Sequence, residues 1–259
     1  MFSRNNTKTS WRGVADWYDD VVNGPDSYQK NVLMPNILRI VDPKKGMTIF
    51  DIACGQGYFS RAFAQNGATV IASDISPELI KIAQQQTSTG ITYHVSPGDK
   101  SPFVVDGSVD VVVIILALQN IENLQGVMGE AKRVLKSGGR CVFVINHPAF
   151  RIPQKSDWGW DEKIQKQFRK VFSYMSDDSI SIDMTPGEKN NAKKKMTISF
   201  HRPLQSYFKA CAKHGLAVTR LEEWISHKKS QKGPRSIEED RSRKEIPMFV
   251  CIEAQKVVI

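Results

Sequence analysis

The chain has 259 residues, of which 41% are hydrophobic and 24% are charged, and its formal net charge is +9. This length fits one α/β domain with an insertion, and the hydrophobic content is enough for a substantial core. The longest uncharged apolar run, residues 111–118, is too short to cross a bilayer, and the polar start of the chain lacks the apolar stretch of a secretory signal.

Two amphipathic helices are predicted ahead of the core, because apolar residues follow helical spacing at 11–22 and at 32–41. Strands and helices then alternate. The predicted strands are 47–52, 68–73, 91–95, 109–115 and 139–146, and the helices between them are 57–65, 77–87 and 123–136. Ser76 is the expected N-cap of the helix that Pro77 opens. This alternation predicts a parallel sheet with helices on both faces.

The regular alternation stops after residue 148. A charged piece at 161–172 predicts a helix, and two alternating segments, at 179–184 and 196–200, predict a β-hairpin. A helix at 203–214 and strands at 216–224 and 246–255 follow, and the charged segment 226–245 is predicted to be a mobile loop. The proposed division is an N-terminal helical cap (1–45), a ligand-binding core (46–149), an inserted substrate cover (150–200) and the C-terminal part of the core (201–259).

The four cysteines have no paired spacing, and each falls in or beside a predicted strand or helix. They are typical of small core residues in a reducing compartment, so we expect a cytoplasmic protein without disulfides and without a metal site. The positive charge favours an anionic partner such as RNA, although solvated basic faces are common.

Residues 47–60, with the sequence MTIFDIACGQGYFS, are the most informative segment. A buried strand passes through a glycine turn into a helix, which directs backbone N–H groups and the positive end of the helix toward a ligand. Glycine is expected in the turn because a Cβ would block the approach of the ligand. Asp74, 19 positions after Gly55, ends the next strand and is placed to accept both hydrogen bonds of a ribose diol. The segment therefore predicts a nucleoside site.

The sequence DIACGQG at 51–57 resembles the first motif of class I S-adenosylmethionine-dependent methyltransferases of the type 11/25-like group. A dinucleotide fingerprint would have a third glycine near position 60, where this chain has Ser60. Three further segments resemble the family in the same order: SPGD at 96–99, SVDVVVI at 108–114 and RVLKSGGR at 133–140. The resemblance covers residues 45–150 well and 200–255 more loosely. It implies a Rossmann-like, doubly wound, mostly parallel sheet of seven strands.

The resemblance also implies S-adenosyl-L-methionine as the cofactor and a role for each motif residue. The glycines of the turn would pass close to its methionine portion, Asp51 would help to orient its amino group, Asp74 would hold the ribose, and Asp99 would accept from the adenine amino group. Ile75 and Pro97 would sandwich the adenine ring, with core packing as the alternative. The predicted cofactor residues are Asp51, Ala53, Gly55, Gly57, Asp74, Ile75, Asp99 and Leu116.

The methyl acceptor is expected beyond the carboxyl ends of the fourth and fifth strands. His147 is the candidate general base, because a neutral imidazole accepts a proton near pH 7, and Asn146 is expected to orient the acceptor or contact the methionine carboxylate. The alternative for His147 is a bond to a backbone group in the turn before Pro148. Weaker candidates for the substrate site are Tyr18, Tyr28, Gln119 and His201.

The function predicted from these residues is methyl transfer to a small-molecule acceptor by in-line displacement. An RNA or protein acceptor is the alternative that the net charge favours, although no separate RNA-binding domain is visible. A nicotinamide-dependent oxidoreductase and a binding module without catalysis are two further alternatives.

Overall fold

A computed structural model of the chain describes residues 24–87, 89–184 and 194–257. The helices are α1 (Met34–Val41, entered through a π-helical turn at Gln29–Leu33), α2 (Tyr58–Gln65), α3 (Pro77–Gln85), α4 (Leu124–Val134), α5 (Leu204–Lys213) and α6 (Ser236–Glu245), with a 3₁₀ turn at Leu118–Asn120. The strands are β1 (Thr48–Ile52), β2 (Thr69–Asp74), β3 (Ile91–Val95), β4 (Val109–Ile115), β5 (Leu135–Asn146), β6 (Ser156–Asp161), β7 (Lys166–Val171), β8 (Asp178–Asp183), β9 (Met196–His201), β10 (Leu216–Trp224) and β11 (Phe249–Lys256).

Seven of these strands form one sheet in the order β10-β11-β5-β4-β1-β2-β3. Strands β1 to β5 pair in parallel, whereas β11 is antiparallel to both of its neighbours, β5 and β10. The predicted seven-stranded, mostly parallel sheet is therefore confirmed. Its central strand β4 has a continuous apolar run because parallel strands are buried on both faces.

The two faces of the sheet carry separate halves of the core. On one face, Ile37 of α1 and Phe63 of α2 are buried in a cluster with Val113 of β4. On the other face, Met128 of α4 and Tyr207 of α5 are buried in a cluster that includes the neighbouring β4 residues. Side chains of successive strand residues point to opposite faces, which is why one strand supplies both clusters. The expected cover of helices on both faces is confirmed.

Two expectations for the polar part of the chain are wrong. Residues 161–172 do not form a helix, because β6 and β7 pair as an antiparallel hairpin. The segment 226–245 is not a loop throughout, because α6 occupies Ser236–Glu245. This helix packs on the hairpin: Glu238 accepts the backbone N–H of Gln167, and the Ser242 hydroxyl donates to the Gln167 carbonyl. Ser242 is the one buried residue of α6, so the sequence of this helix has no apolar stripe that would reveal it.

The second predicted hairpin is confirmed, since β8 and β9 pair antiparallel from Asp178 to His201. The predicted N-cap of α3 is also confirmed, because the Ser76 hydroxyl accepts the N–H of Leu79 at 3.2 Å. The predicted helix at 11–22, with Tyr18, lies outside the described residues. Within the described parts of the chain, no helix is long and apolar enough to span a bilayer.

Candidate functional site

The turn after β1 brings three residues with positive φ angles to the carboxyl edge of the sheet. Ala53, Gly55 and Gly57 have φ angles of 58°, 58° and 79°. The left-handed region is open to glycine but costs other residues energy, so Ala53 is a mildly strained position. The backbone N–H of Cys54 donates to the Ser73 carbonyl at 2.9 Å and ties this turn to β2. The turn is therefore held in one shape by the neighbouring strand.

Asp74, at the end of β2, connects this turn to α3. Its Oδ2 accepts the backbone N–H of Gly55 at 2.9 Å, and its Oδ1 accepts the backbone N–H of Ser76, also at 2.9 Å. A carboxylate has about four acceptor positions, so both oxygens keep capacity for a ligand's hydroxyl groups. Burial raises the pKa of Asp74, and these backbone donors act against that rise. The carboxylate is therefore pre-oriented to accept from a diol.

Asp51 of β1 is only 2% exposed. The hydroxyl of Ser60 donates to its Oδ2 at 2.5 Å from the first turns of α2. The pKa of Asp51 is raised to about 7, because burial and, to a smaller extent, the nearby charge of Asp74 raise it by more than the Ser60 hydrogen bond lowers it. A carboxyl group that titrates near neutral pH can exchange its proton for a ligand's cationic group, so this environment suits an ammonium partner.

Gly57 is required by a contact within the protein. A Cβ at this position would lie 2.4 Å from the hydroxyl oxygen of Tyr93 in β3 and 3.2 Å from the Cβ of Ala83 in α3. This contact is a second reason for glycine at position 57, and the expectation that the missing side chain also makes room for the ligand stays a prediction. At this position the absent Cβ lets α2 begin directly beside α3 and β3.

The loops after β2 and β3 present apolar and acidic side chains at the same edge. Ile75 is 53% exposed, and Pro97 is also exposed. The Oδ2 of Asp99 accepts from the Asn123 side-chain amide at 2.7 Å, and the Asn123 Oδ1 in turn caps α4 by accepting the N–H of Gly126. The arrangement offers two apolar surfaces and a fixed acceptor, which is what a purine ring with an exocyclic amino group requires. The contacts of Ile75 and Asp99 with adenine stay predictions.

The segment after β4 carries a second strained position. Leu116 has a φ of 53°, and its N–H donates to the Val144 carbonyl at 2.7 Å. Its carbonyl accepts from the Nε2 of Gln119 at 2.8 Å. The Oε1 of Gln119 and the Nε2 of Gln56 are buried, and neither has a hydrogen-bond partner among the described residues. Buried polar groups rarely stay unpaired, so these two atoms fit a site that a polar ligand completes.

His147 lies at the end of β5 and is 4% exposed. Its Nδ1 accepts the backbone N–H of Ala149 at 3.2 Å, so the ring proton is on Nε2, which donates to Glu223 at 2.7 Å. Burial lowers the pKa of His147, and Glu223 acts against that shift. The alternative role predicted from sequence, a bond to the backbone of this turn, is therefore present. The role of general base stays a prediction, and it would require Nδ1 to release Ala149.

The other candidates for acceptor binding are divided between two places. Asn146 is exposed at the end of β5. Tyr28 lies at the same end of the sheet but farther along, beside β10 and β11, where its hydroxyl is 3.0 Å from the Ser226 hydroxyl. His201 is buried, and its Nε2 is 2.9 Å from the Tyr174 carbonyl. Tyr18 lies outside the described residues. The structure therefore places Asn146, Gln119 and His147 at the predicted edge, and Tyr28 beside it.

Sequence reasoning missed the residues that hold the carboxylates in place. Ser60 and Asn123 donate to Asp51 and Asp99, yet neither has a motif of its own. The one available signal was the serine found where a dinucleotide-binding turn has glycine.

The described residues contain no group of three or more His, Cys, Asp or Glu side chains that could hold a metal ion. All four cysteines are free thiols, and burial raises the pKa of Cys54 well above its usual value.

The strand order and the antiparallel β11 define the class I S-adenosylmethionine-dependent methyltransferase fold. Residues 50–143 match the family model described as a methyltransferase domain. This part of the chain is a methyltransferase domain of that class, and the family implies S-adenosyl-L-methionine as the cofactor.

Two curated relatives are similar to the chain over its core. A demethylmenaquinone methyltransferase of Tropheryma whipplei (strain Twist) is 38% identical over 106 residues, which are 40% of this chain and 44% of the relative. A demethylmenaquinone methyltransferase of Chlorobaculum parvum is 32% identical over 156 residues, 58% of this chain and 64% of the relative. The chain therefore spans between 44% and 64% of the length of these two relatives.

A solved structure of similar fold covers more of the chain. An S-adenosylmethionine-dependent methyltransferase from Mesorhizobium loti superposes with a TM-score of 0.67 over 85% of this chain and 96% of that chain, at 24% identity. At this identity the similarity establishes the fold, including the strands that follow the insertion.

Proposed function

We propose that this chain transfers the methyl group of S-adenosyl-L-methionine to a small-molecule acceptor. The observation that carries the proposal is the geometry of Asp74, which holds Gly55 and Ser76 by their N–H groups and keeps acceptor capacity on both oxygens. When bound, S-adenosylmethionine would supply a methyl group on a sulfonium sulfur, which a lone pair of the acceptor could displace in line as a neutral thioether.

The residues of this chain would bind and orient the two reactants. Asp74 holds the ribose hydroxyls, ionised Asp51 faces the amino group, and Asp99 accepts from adenine. Gln119 follows β4, and its buried Oε1 has no hydrogen-bond partner among the described residues, so it is a candidate contact to the acceptor. Since the protein has to align two reactants, the accuracy of these hydrogen bonds decides the rate.

A small acceptor is supported by both the relatives and the surface. The relatives from Tropheryma whipplei and Chlorobaculum parvum are named for demethylmenaquinone, a small molecule. The hairpins β6–β7 and β8–β9 and the helix α6 add further structure beyond β5, where open α/β sheets bind their ligands. The free cysteines suit a reducing compartment, so we place this activity in the cytoplasm.

An RNA or protein acceptor is the alternative that the net charge of +9 favours. Binding of single-stranded RNA uses open aromatic faces on which bases stack. In this structure the guanidinium of Arg169 lies 5.1 Å from the ring centroid of Trp158, and that of Arg235 lies 4.6 Å from that of Trp160. Each ring therefore has one face covered by an arginine, which favours the small acceptor. Methyl incorporation into RNA, with binding that weakens steeply with salt, would support the alternative.

Calorimetry on the full chain with S-adenosylhomocysteine and with NADH tests the cofactor assignment. We expect S-adenosylhomocysteine to bind and to raise the melting temperature, whereas NADH does neither. Stabilisation by NADH alone would overturn the proposal in favour of an oxidoreductase. Transfer of labelled methyl from S-adenosylmethionine to a small-molecule pool then tests turnover, and binding without any transfer would identify a non-catalytic module.

A further inference from the structure

A cavity of about 200 Å³ lies at the same edge of the sheet as the candidate cofactor site, over the ends of β5, β10 and β11. The His147 N–H donates to the Met248 carbonyl at 2.9 Å and ties the floor of the cavity to the end of β5. In the sheet order, β5 and β4 lie between the cavity and the glycine turn after β1. The cavity is therefore next to the place where an acceptor is expected.

Among the residues that the structure describes, the wall of the cavity has three arginines and no acidic residue. Arg243 has a counterion, since Asp240 lies 3.5 Å away. Arg169 is held by the Phe150 carbonyl at 2.7 Å and the Ser156 hydroxyl at 2.9 Å. For Arg151, no carboxylate partner is found in the described parts of the chain. Two cations without bound carboxylates therefore face one small space.

The environment of these arginines favours an anionic ligand. Burial lowers the pKa of the Arg151 guanidinium. Burial, and then repulsion from Arg151, lower the pKa of Arg169, and the nearby charge of Asp157 acts against that shift. Both arginines are half-buried, and partly desolvated cations of like sign destabilise a fold unless an anion compensates them. Arginine is also the side chain best shaped to grip a carboxylate or a phosphate with two parallel hydrogen bonds.

The rest of the wall is largely apolar. Three aromatic side chains, Tyr28, Phe150 and Trp158, line the cavity together with the aliphatic side chains of Ile246, Pro247 and Met248. Flat apolar rings favour a flat apolar ligand, and the hydroxyl groups of Tyr28 and Ser226 add two polar contacts. The volume is below the roughly 300–1,000 Å³ of pockets for drug-sized ligands, so a compact molecule fits it.

We propose that this cavity binds the methyl acceptor, and that the acceptor is a small aromatic molecule with an anionic oxygen group, a carboxylate or a phosphate, held by Arg151 and Arg169. The inference rests on the proposed methyltransferase function and names the class of its substrate. The anionic end anchors the acceptor at the β5–β11 side, and the ring extends from there toward β4 and the cofactor.

Three probes of similar shape test the proposal by calorimetry on the full chain with S-adenosylhomocysteine present: benzoate, phenyl phosphate and the uncharged benzamide. We expect at least one anion to bind roughly tenfold or more tightly than benzamide, because charge-assisted hydrogen bonds to arginine require the anion. The tighter of the two anions identifies the oxygen group. Equal binding of benzamide and both anions, or no binding of either anion, would overturn the proposal.

Variants then locate the binding. Arg151→Gln should weaken the binding of the preferred anion by roughly tenfold or more and leave the binding of benzamide unchanged. Arg220→Gln is the matched control, because Arg220 is a half-exposed arginine outside the cavity that pairs with Glu222. Equal loss in both variants, or none in Arg151→Gln, would refute the assignment. If Arg151→Gln does not fold, Arg169→Gln gives the same test, and the comparison of probes on the wild-type chain decides independently.

S-adenosylhomocysteine binding separates the two proposals. If it binds while the anions do not, only the assignment of the acceptor fails. If it does not bind, the methyltransferase function itself fails.

Discussion

The Oδ2 of Asp74 accepts the backbone N–H of Gly55 at 2.9 Å, although the two residues are 19 positions apart. The other oxygen of the same carboxylate accepts from Ser76 at the start of α3. The glycine turn and the acidic strand end, which look like separate signals in the sequence, are therefore one hydrogen-bonded unit. Loss of the carboxylate should weaken the binding of the ligand's hydroxyl groups and also disturb the turn that approaches the ligand.

Asp74→Asn should weaken the binding of S-adenosylhomocysteine by roughly 10- to 100-fold. The reason is that hydrogen bonds to a charged group contribute about 1.5–3 kcal/mol, and 1.4 kcal/mol corresponds to a tenfold change. Calorimetry measures the change directly. Asp42→Asn is the control, because it removes the same charge at an exposed residue whose φ of 51° suits asparagine. Unchanged affinity in Asp74→Asn would reject the ribose role.

The pKa of Asp51 predicts how the stability of the ligand-free protein changes with pH. Burial raises this pKa to about 7 in the folded state, whereas an unfolded aspartate titrates near pH 3.9. Between these values the folded state binds the extra proton, so the contribution of Asp51 to stability falls as pH rises and levels off above about pH 7. The melting temperature of Asp51→Asn, measured relative to that of wild type, should therefore rise as pH increases from about 5 to about 8. A difference that stays constant across this range would contradict the shifted pKa.

Binding of a cationic amino group beside Asp51 should release a proton near neutral pH. An ammonium group favours the ionised carboxylate, so part of the Asp51 population loses its proton on binding at about pH 6.5, and almost none does at about pH 8.5. Calorimetry of S-adenosylhomocysteine binding in buffers of different ionisation enthalpy counts the protons released. Asp51→Asn should abolish this release. Equal proton release in wild type and variant would show that Asp51 does not face the amino group.

The sequence predicts the central sheet well because its strands are buried on both faces. Burial on both faces forces a continuous apolar run such as that of β4, and such a run has few other interpretations. The polar elements lack this constraint. The residues of β6 and β7 are largely exposed or half-exposed, and α6 buries only Ser242, so neither shows an apolar period. Their positions depend on tertiary contacts such as that between Glu238 and Gln167.

The candidate site divides in the same way. Asp51 and Asp74 could be found because the backbone geometry at the two strand ends fixes their spacing in the chain. Ser60 could not be assigned, because its role depends on the side chain of Asp51 across the first turns of α2. The arginines of the cavity come from three distant segments, at 151, 169 and 243, and only the fold brings them together.

Gly57→Ala should destabilise the protein by roughly 2 kcal/mol or more, because it combines a left-handed backbone with a clash against Tyr93. Gly46→Ala is the matched control, since Gly46 has a φ of 88° and nothing within 4 Å of the added Cβ. Gly46→Ala should therefore lose only the free energy that alanine costs in the left-handed backbone conformation. Tyr93→Phe removes the hydroxyl oxygen that the new Cβ would meet, so the double variant should recover part of the loss. Strictly additive effects in chemical denaturation would refute the contact.

His147→Ala should mainly lower the free energy of unfolding. The loss of turnover, expressed as a free energy, should be the smaller effect. The substitution removes the acceptor of the Ala149 N–H and the donor to Glu223 from a buried position, at a cost of roughly 2 kcal/mol. Thermal melting and steady-state kinetics below the melting temperature separate the two effects. Glu223→Gln is the control, because a glutamine oxygen can still accept from Nε2–H. A fall in kcat of roughly 100-fold or more, with unchanged KM and an unchanged melting temperature, would instead establish His147 as the base, since general-base catalysis contributes at least that factor.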